Sequence, residues 1–332
     1  MPPRIEALGR IRTQPRTRLA NLPTPLVPLP RLGHALGAGR LWAKMDAETG
    51  FALGGNKVRK LEYVLAPPMV DGITCLLTAG GPQSNHCRVT AAFAARHGLR
   101  CVLVTNGGPE GDPTGNALLQ RLFGAELVVV ENRSERAARM ESVTQELLAA
   151  GETPLVVPIG ASTPLGCLGY ASAAIELCEQ IDALDDGCTE TIVFSASSSG
   201  GTLAGLILGL ALLERTDVHL FGVSADAPAD ELDVVCRRLA QDAAVNLLET
   251  TIDPEIVPFK SIDDQVGDGY GVPTPESREA TELFGRQAGI VLDPTYTSKA
   301  AAALIAHLRG HGIHDHQRCV FLHTGGAPGL LA

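Results

Sequence analysis

Short apolar segments of strand length alternate with segments of helical spacing along most of this 332-residue chain. The apolar segments are residues 73–78, 101–105, 126–130, 155–158, 191–195, 218–224 and 319–323. Helical spacing is clearest between them, as in residues 136–149 and 165–180. Strands that alternate with helices are typical of βαβ units, in which helices join parallel strands. We therefore predict an α/β fold with two open, parallel-rich sheets flanked by helices.

The first forty residues depart from this alternation. Leu22–Pro30 contains prolines at positions 23, 25, 28 and 30. Proline has no backbone N–H to donate, so this segment is neither a helix nor a central strand. We predict an extended segment that lies over the surface of a domain.

Composition narrows the class of protein. A net charge of −10 and a pI near 5.4 argue against a nucleic-acid-binding surface as the main function. No apolar stretch reaches membrane-spanning length, and the N-terminus lacks a secretory pattern, so we expect a cytoplasmic protein without membrane contact. The eight cysteines are scattered without a Cys-x-x-Cys pair, which favours reduced thiols over a metal site.

A lysine follows two glycines at a predicted loop-to-helix junction. Gly54 and Gly55 precede Lys57, and a helical pattern begins at Val58. A lysine that has a defined direction and is partly desolvated can act as a nucleophile toward a carbonyl carbon. The alternative is a glycine turn that leads into a solvated basic helix.

Two further loops follow strands and open helices, at the edge where parallel sheets bind ligands. The first, residues 195–202, offers backbone N–H groups, hydroxyls and a helix N-terminus, which together favour phosphate binding. It lacks the lysine of a P-loop and the glycine spacing of a dinucleotide fingerprint. The second, Gln83–His86, could hold a carboxylate, or it could simply cap a helix. His86 alone is more typical of a local hydrogen-bonding residue than of a ligand.

These three features together favour pyridoxal 5′-phosphate as the cofactor. Its aldehyde would react with Lys57, its phosphate would bind residues 195–202, and the carboxylate of a small amino-acid substrate would bind residues 83–86. Residues 195–202 alone would also suit a non-catalytic protein that binds a phosphorylated ligand.

The chain resembles the D-cysteine desulfhydrase and 1-aminocyclopropane-1-carboxylate deaminase family. The similar motifs occur in the family's order along nearly the whole chain. They are Gly54–Tyr63, Gln83–His86, Pro158–Ser162 with Leu168–Tyr170, Leu292–Thr297 and His323–Pro328.

The resemblance implies a fold-type II pyridoxal-phosphate enzyme of the tryptophan-synthase-β-like group. It implies a small α/β domain, residues 60–168, inserted in a larger cofactor domain formed by residues 1–59 and 169–332. It also implies a homodimer.

Site roles follow from motif position in the same family. Lys57 would carry the cofactor as a Schiff base and, once freed, remove the α-proton of the substrate. Asn85 would bond the phenolate oxygen of the cofactor. The implied phosphate ligands are Ser199, Gly200, Gly201 and Thr202. The implied substrate-side residues are Gln83, Ser84, Asn85, His86, Tyr270 and Tyr296, with Ser84 or a tyrosine as the proton donor.

Two positions separate the members of the family. Ring-opening deaminases carry a glutamate and a leucine where this chain has Thr297 and Thr324, two residues expected near the pyridine nitrogen. The threonine pair favours β-elimination of D-cysteine to pyruvate, ammonia and hydrogen sulfide. The departures at Met45, Ala47 and Pro82 leave the amino acid open, with an L-cysteate sulfo-lyase or the cyclopropane deaminase as alternatives.

Overall fold

The computed structural model describes residues 3–108 and 111–332, whose strands form two separate sheets. The strands are β1 (Leu26–Pro28), β2 (Leu41–Lys44), β3 (Cys75–Gly80), β4 (Arg100–Asn106), β5 (Glu126–Val130), β6 (Pro154–Val156), β7 (Glu190–Ser197), β8 (Val218–Ser224), β9 (Phe259–Ile262) and β10 (Gln317–Leu322). The prediction of an α/β fold with two parallel-rich sheets is confirmed.

Helices cover both sheets. They are α1 (Pro3–Thr13), α2 (Pro30–Ala35), α3 (Asn56–Val64), α4 (Pro67–Val70), α5 (Asn85–His97), α6 (Gly115–Leu122), α7 (Arg136–Ala149), α8 (Pro164–Asp182), α9 (Gly201–Leu212), α10 (Ala229–Leu248), α11 (Pro275–Ala288) and α12 (Thr297–His311). Short 3₁₀ helices lie at Asp46–Glu48, Phe51–Leu53, Arg133–Glu135, Ile159–Ala161, Pro254–Ile256 and Ala327–Leu331.

The larger sheet has the strand order β1-β2-β10-β7-β8-β9. All its neighbours are parallel except β1, which pairs with β2 in the antiparallel direction at the edge of the sheet. Successive side chains of a strand point to opposite faces. Val193 of β7 accordingly packs toward α8, α9 and α10, whereas Ile192 and Phe194 pack toward α11 and α12.

The smaller sheet has the order β5-β4-β3-β6, and all its strands are parallel. Leu76 and Leu103 face α3 and α5, whereas Leu77 and Val104 face α7. Its strands all lie within residues 60–168 and those of the larger sheet all lie outside. The inserted domain and its boundaries stay a prediction.

The N-terminal region contains more regular structure than its proline content suggests. The segment Leu22–Pro30 does supply an edge strand, but it is followed at once by α2, which begins at Pro30. Proline is tolerated at the first position of a helix because that N–H has no helical partner. Pro67 likewise is the first residue of α4. Within the described residues, no helix combines the length and apolarity needed to cross a bilayer.

Candidate functional site

A cavity of about 610 Å³ lies where strands of both sheets end. All three loops singled out in the sequence contribute to its wall. The predicted site residues that line it are Lys57, Gln83, Ser84, Asn85, His86, Ser199, Gly200, Gly201, Thr202, Tyr270, Tyr296 and Thr324. The structure therefore brings together every predicted site residue except Thr297.

Lys57 enters the cavity from the first turn of α3. Gly54 and Gly55 have φ values of 68° and 105°, a region that favours glycine. A side chain on Gly54 would also overlap the carbonyl oxygen of Ala47. The Lys57 side chain is half-buried and has no hydrogen-bond or ion-pair partner among the described residues. Burial lowers the pKa of its amine to about 8, so the neutral form is a minority near pH 7 but is far more abundant than in an ordinary lysine.

Residues 197–202 form a cradle at the N-terminus of α9. Gly200 adopts φ 78°, and the helix begins at Gly201. A Cβ atom on Gly201 would lie only 2.6 Å from Ser162 Oγ and 2.7 Å from Lys60 Nζ. Thr202 Oγ1 accepts a hydrogen bond of 3.0 Å from Asn56 Nδ2, which ties the cradle to α3.

Lys60 lies behind this cradle and received no role from the sequence. It is fully buried, and its amine donates to Ser162 Oγ at 3.0 Å. Burial, together with the charge of Lys57, holds its pKa well below the ordinary lysine value. Its spacing of three residues from Lys57, on one face of a helix, was the signal that could have found it.

The loop at residues 83–86 opens α5. Ser84 is the N-cap residue and its Oγ accepts the N–H of Cys87 at 3.2 Å. Asn85 Oδ1 accepts from Arg88 Nη1 at 3.0 Å and from Asn116 Nδ2 at 2.9 Å. With its oxygen occupied in this way, the Asn85 side chain has its amide N–H groups available to donate into the cavity.

Arg88 is a second buried basic residue that sequence reasoning missed. Its guanidinium donates to Asn85 Oδ1, to Asn116 Oδ1 at 3.0 Å and to the Gly54 carbonyl oxygen at 2.5 Å. No carboxylate in the described part of the chain pairs with it, and burial lowers its pKa to about 10. Arg88 thus fixes both the asparagine and the glycine turn before Lys57.

His86 is a local hydrogen-bonding residue here, as its sequence suggested. Its Nε2 lies 2.8 Å from Thr78 Oγ1. Burial, with the nearby charges of Lys57 and Lys60, holds its pKa well below the ordinary histidine value. The ring is therefore neutral.

Two tyrosines form the far wall of the cavity. The hydroxyls of Tyr270 and Tyr296 share a hydrogen bond, and their rings meet edge to face at 5.8 Å between centroids. Burial, followed by the effect of Tyr270, raises the pKa of Tyr296 well above its ordinary value. Tyr296 therefore keeps its proton at neutral pH.

The two predicted threonines lie in different places. Thr324 lines the cavity, and its carbonyl oxygen accepts from the Asn56 N–H at 2.9 Å. Thr297 is fully buried, and its hydroxyl donates to Asp293 Oδ1 at 2.7 Å. Asp293 itself lines the cavity, and burial raises the pKa of its carboxyl. Thr297 can therefore affect the cavity only through its hydrogen bond to Asp293.

The other side of α3 contacts a cluster of matched charges, which we call the paired cluster: Lys44, Asp46, Arg59, Tyr170 and Glu176. Arg59 Nε and Nη2 donate to the two oxygens of Asp46 at 2.9 Å each, and Nη2 donates to Glu176 Oε1 at 2.8 Å. Tyr170 donates to Asp46 at 2.5 Å, and Lys44 pairs with Glu176.

Comparison with known proteins gives consistent matches over nearly the whole chain. A family profile described as "Pyridoxal-phosphate dependent enzyme" matches residues 17–325. A D-cysteine desulfhydrase of Klebsiella pneumoniae is 39% identical over 324 residues, which cover 96% of each chain. The crystal structure of an ACC deaminase homologue has a TM-score of 0.87 at 32% identity, over 98% of this chain and 96% of that one. Threonine deaminase isoform 2 from Solanum lycopersicum shares the fold, with a TM-score of 0.66 at 15% identity over 97% of this chain and 84% of that one.

Proposed function

Because this chain belongs to the pyridoxal-phosphate-dependent enzymes, we propose that it catalyses β-elimination on a small amino acid, D-cysteine. The products are pyruvate, ammonia and hydrogen sulfide. The observation that carries this proposal is the unpartnered, partly neutral amine of Lys57 in a cavity whose opposite wall holds protonated tyrosines. The likeness to a D-cysteine desulfhydrase over 96% of the chain supports the choice of substrate.

The residues present fit pyridoxal phosphate. The cradle at residues 197–202 offers N–H groups and hydroxyls to a phosphate, with the buried amine of Lys60 behind it. The Asn85 amide is held by Arg88 in an orientation suited to a phenolate oxygen. We propose that Thr324 and Asp293 lie beside the pyridine ring and that Thr297 positions Asp293.

When bound, the cofactor withdraws electrons from the α-carbon of the substrate. Lys57 accepts the α-proton, because burial gives its amine a much larger neutral fraction than an ordinary lysine has at the same pH. Ser84 and the N-terminus of α5 bind the substrate carboxylate, since the Ser84 hydroxyl hydrogen is not used in capping. The Tyr270–Tyr296 pair donates a proton to the departing sulfur. Water then hydrolyses the released enamine to pyruvate and ammonia.

We further propose that the protein acts as a homodimer in the cytoplasm, and that residues 60–168 are an inserted domain that closes over the substrate. Resemblance to the family supports the dimer, and the sheet composition supports the domain. Size-exclusion chromatography with light scattering measures the oligomeric state directly.

The test of the proposed function is a substrate panel with the cofactor-loaded protein. D-cysteine should yield pyruvate and sulfide in equal amounts, and L-cysteine and the cyclopropane amino acid serve as comparisons. The likeness to an ACC deaminase homologue makes the cyclopropane substrate a necessary member of the panel. If Lys57 carries the cofactor yet no β-substituted amino acid yields pyruvate, the proposed reaction is wrong.

A further inference from the structure

Lys299 is a buried lysine that the reaction outlined above does not use. It lies in the first turn of α12, three residues after Tyr296, and none of its surface is exposed. Within the described part of the chain, its amine donates only to backbone carbonyl oxygens, that of Val266 at 2.8 Å and that of Gly269 at 2.9 Å. Both acceptors belong to residues 263–274, between β9 and α11, which we call the tyrosine loop because they include Tyr270.

The same two carbonyls close successive turns of the tyrosine loop. Gly269 N–H donates to the Val266 carbonyl oxygen, and Val272 N–H donates to the Gly269 carbonyl oxygen, each at 3.3 Å. These two bonds are longer than the usual N–H···O range of about 2.7–3.2 Å. The bonds from Lys299 are shorter, so Lys299 supplies the tighter hold on both turns and joins them to α12.

The sequence of the tyrosine loop makes such an anchor necessary. Every second residue from 267 to 271 is glycine, and Gly269, where the two turns meet, adopts φ 134°. Glycine gives an unrestrained loop many conformations, and all but one must be excluded if a side chain is to stay in place. No helix or strand forms within residues 263–274. The two bonds from Lys299 therefore restrain a segment that has little restraint of its own.

The side chain that this anchor places is Tyr270. It lies in the second turn and lines the cavity, but it is 39% exposed, so packing holds it less firmly than a core residue. Its hydroxyl shares a hydrogen bond with that of Tyr296, and the guanidinium carbon of Arg133 lies 5.4 Å from the centroid of its ring. Tyr296 is the N-cap residue of α12. Lys299 thus ties the loop of one tyrosine to the helix that begins at the other.

We propose that Lys299 is a positioning residue that holds Tyr270 against Tyr296, so that the tyrosine pair can protonate the departing sulfur. This inference rests on the proposed function and deepens it, because it makes one contact outside the cavity responsible for leaving-group protonation. Protonation by a positioned acid helps a basic leaving group such as sulfide, whereas chloride departs without a proton. The effect of Lys299 should therefore depend on the leaving group.

The reaction balances without an oxidant or reductant. The α-proton of D-cysteine passes to Lys57, and the carbon–sulfur bond breaks with its electron pair on sulfur, which takes the tyrosine proton. The tyrosine regains a proton from solvent, and the enamine takes up water. D-cysteine and water thus give pyruvate, ammonium and hydrogen sulfide.

The first test compares D-cysteine with β-chloro-D-alanine in cofactor-loaded proteins. Lys299→Met keeps most of the side-chain length and removes the N–H donors. We expect its kcat for D-cysteine to fall about 10- to 100-fold and its kcat for β-chloro-D-alanine to stay within about threefold. The control Ser298→Ala alters the neighbouring buried residue, whose hydroxyl has no partner among the described residues, and should change neither. Equal losses for the two substrates in Lys299→Met would overturn the inference.

A double variant decides whether Lys299 acts through Tyr270. With D-cysteine, Lys299→Met combined with Tyr270→Phe should be no slower than Tyr270→Phe alone, because the hydroxyl that Lys299 positions is already gone. A loss equal to the product of the two single losses would refute the assignment.

Gly269→Ala disturbs the same contact from the loop side and leaves the core intact. A Cβ atom there meets nothing within 4 Å, but φ 134° is unfavourable for alanine, so the carbonyl that Lys299 binds should shift. Gly269→Ala should slow D-cysteine at least about fivefold and leave β-chloro-D-alanine within about twofold. If Lys299→Met fails to fold, this variant decides: an unchanged ratio of the two rates would overturn the inference.

Hydrogen exchange in the cofactor-loaded protein needs no turnover. Amides of residues 263–274 should exchange at least about tenfold faster in Lys299→Met, whereas those of β7 and β8 and all amides of Ser298→Ala should keep the wild-type rate. Unchanged exchange in the tyrosine loop, or faster exchange throughout the larger sheet, would refute a positioning role. If the wild type yields no pyruvate from either substrate, the proposed reaction fails, and the exchange result still decides whether Lys299 holds the loop.

Discussion

Two groups of basic residues contact helix α3, and they differ in whether carboxylates pair with them. The paired cluster around Arg59 matches each cation with a carboxylate. On the cavity side, Lys57, Lys60 and Arg88, which we call the unpaired cluster, have no carboxylate partner among the described residues. Within one turn of α3, Arg59 therefore has carboxylate partners, whereas Lys57 and Lys60 have none.

This difference in pairing suggests that the paired cluster stabilises the fold, whereas the unpaired cluster serves ligand binding. Removing a charge from water is unfavourable unless a partner replaces the water, so a buried cation without a carboxylate is retained at a loss in stability. The paired cluster joins β2, α3 and α8 and needs nothing further. The unpaired cluster lacks negative charge, which the phosphate and phenolate of the cofactor and the substrate carboxylate would supply.

Replacing Lys57 gives the largest expected effect and tests whether the unpaired cluster carries the chemistry. Lys57→Ala should lose covalent cofactor attachment and reduce pyruvate formation by at least about 10²–10⁴-fold, because the base is gone. Borohydride reduction followed by peptide mass mapping should find the label at residue 57. The control Lys260→Ala, at an exposed strand residue, should keep covalent cofactor attachment and pyruvate formation.

Replacing Arg59 tests the structural role of the paired cluster. Arg59→Met leaves Asp46 and Glu176 with fewer partners and should lower the free energy of unfolding by about 3–5 kcal/mol in urea. The exposed pair Arg286–Glu282 offers a control, since Arg286→Met should cost less than about 0.5 kcal/mol. A similar small loss for both variants would remove the distinction between the clusters.

Two matched lysine substitutions sharpen the comparison further. In the cofactor-free protein, Lys44→Met should lower the free energy of unfolding by about 3 kcal/mol because Glu176 loses a partner. Lys60→Met should leave it unchanged or raise it by about 1 kcal/mol, because a buried amine without a carboxylate partner is removed. Lys60→Met should nevertheless weaken pyridoxal phosphate at least tenfold in a binding titration. Destabilisation by Lys60→Met equal to that by Lys44→Met would contradict this assignment.

The pH dependence of cofactor capture has the smallest expected effect. The neutral amine of Lys57 is the reactive form, and its pKa lies near 8 in place of the ordinary 10.5. The rate at which the cofactor-free protein captures pyridoxal phosphate should rise about tenfold from pH 7 to pH 9 and then level off. The absorbance of the bound cofactor reports this rate, with Lys57→Ala as the baseline. A rate that continues to climb to pH 10.5 would show an unperturbed lysine.

The sequence was most informative where local pattern and tertiary packing agree. β5, β8 and α7 begin and end as their periodicity predicts. β9 was missed because it has four residues and its strand state depends on pairing with β8. The cavity loops were found because the carboxyl ends of parallel strands meet at one edge of a sheet.

The site residues that the sequence missed share a physical reason. Lys60 and Arg88 occur in helix sequences where basic residues are common. What sets them apart is burial without a carboxylate partner, which only the folded structure reveals. Arg136 is one of three arginines between residues 133 and 139, and its burial and its place in the cavity wall separate it from half-buried Arg139. Thr297 was expected at the cavity, but its hydroxyl turns inward to Asp293.

The central position of β10 in the larger sheet has a consequence for biosynthesis. β10 joins β2 to β7, so these two strands lack their shared neighbour until residue 322 has left the ribosome. Translation from residue 197, where β7 ends, to residue 322 takes about 6–25 s at roughly 5–20 residues per second. During this interval the nascent chain exposes two apolar strand edges that are prone to aggregate. We expect its yield on overproduction to depend on chaperones that shield those edges.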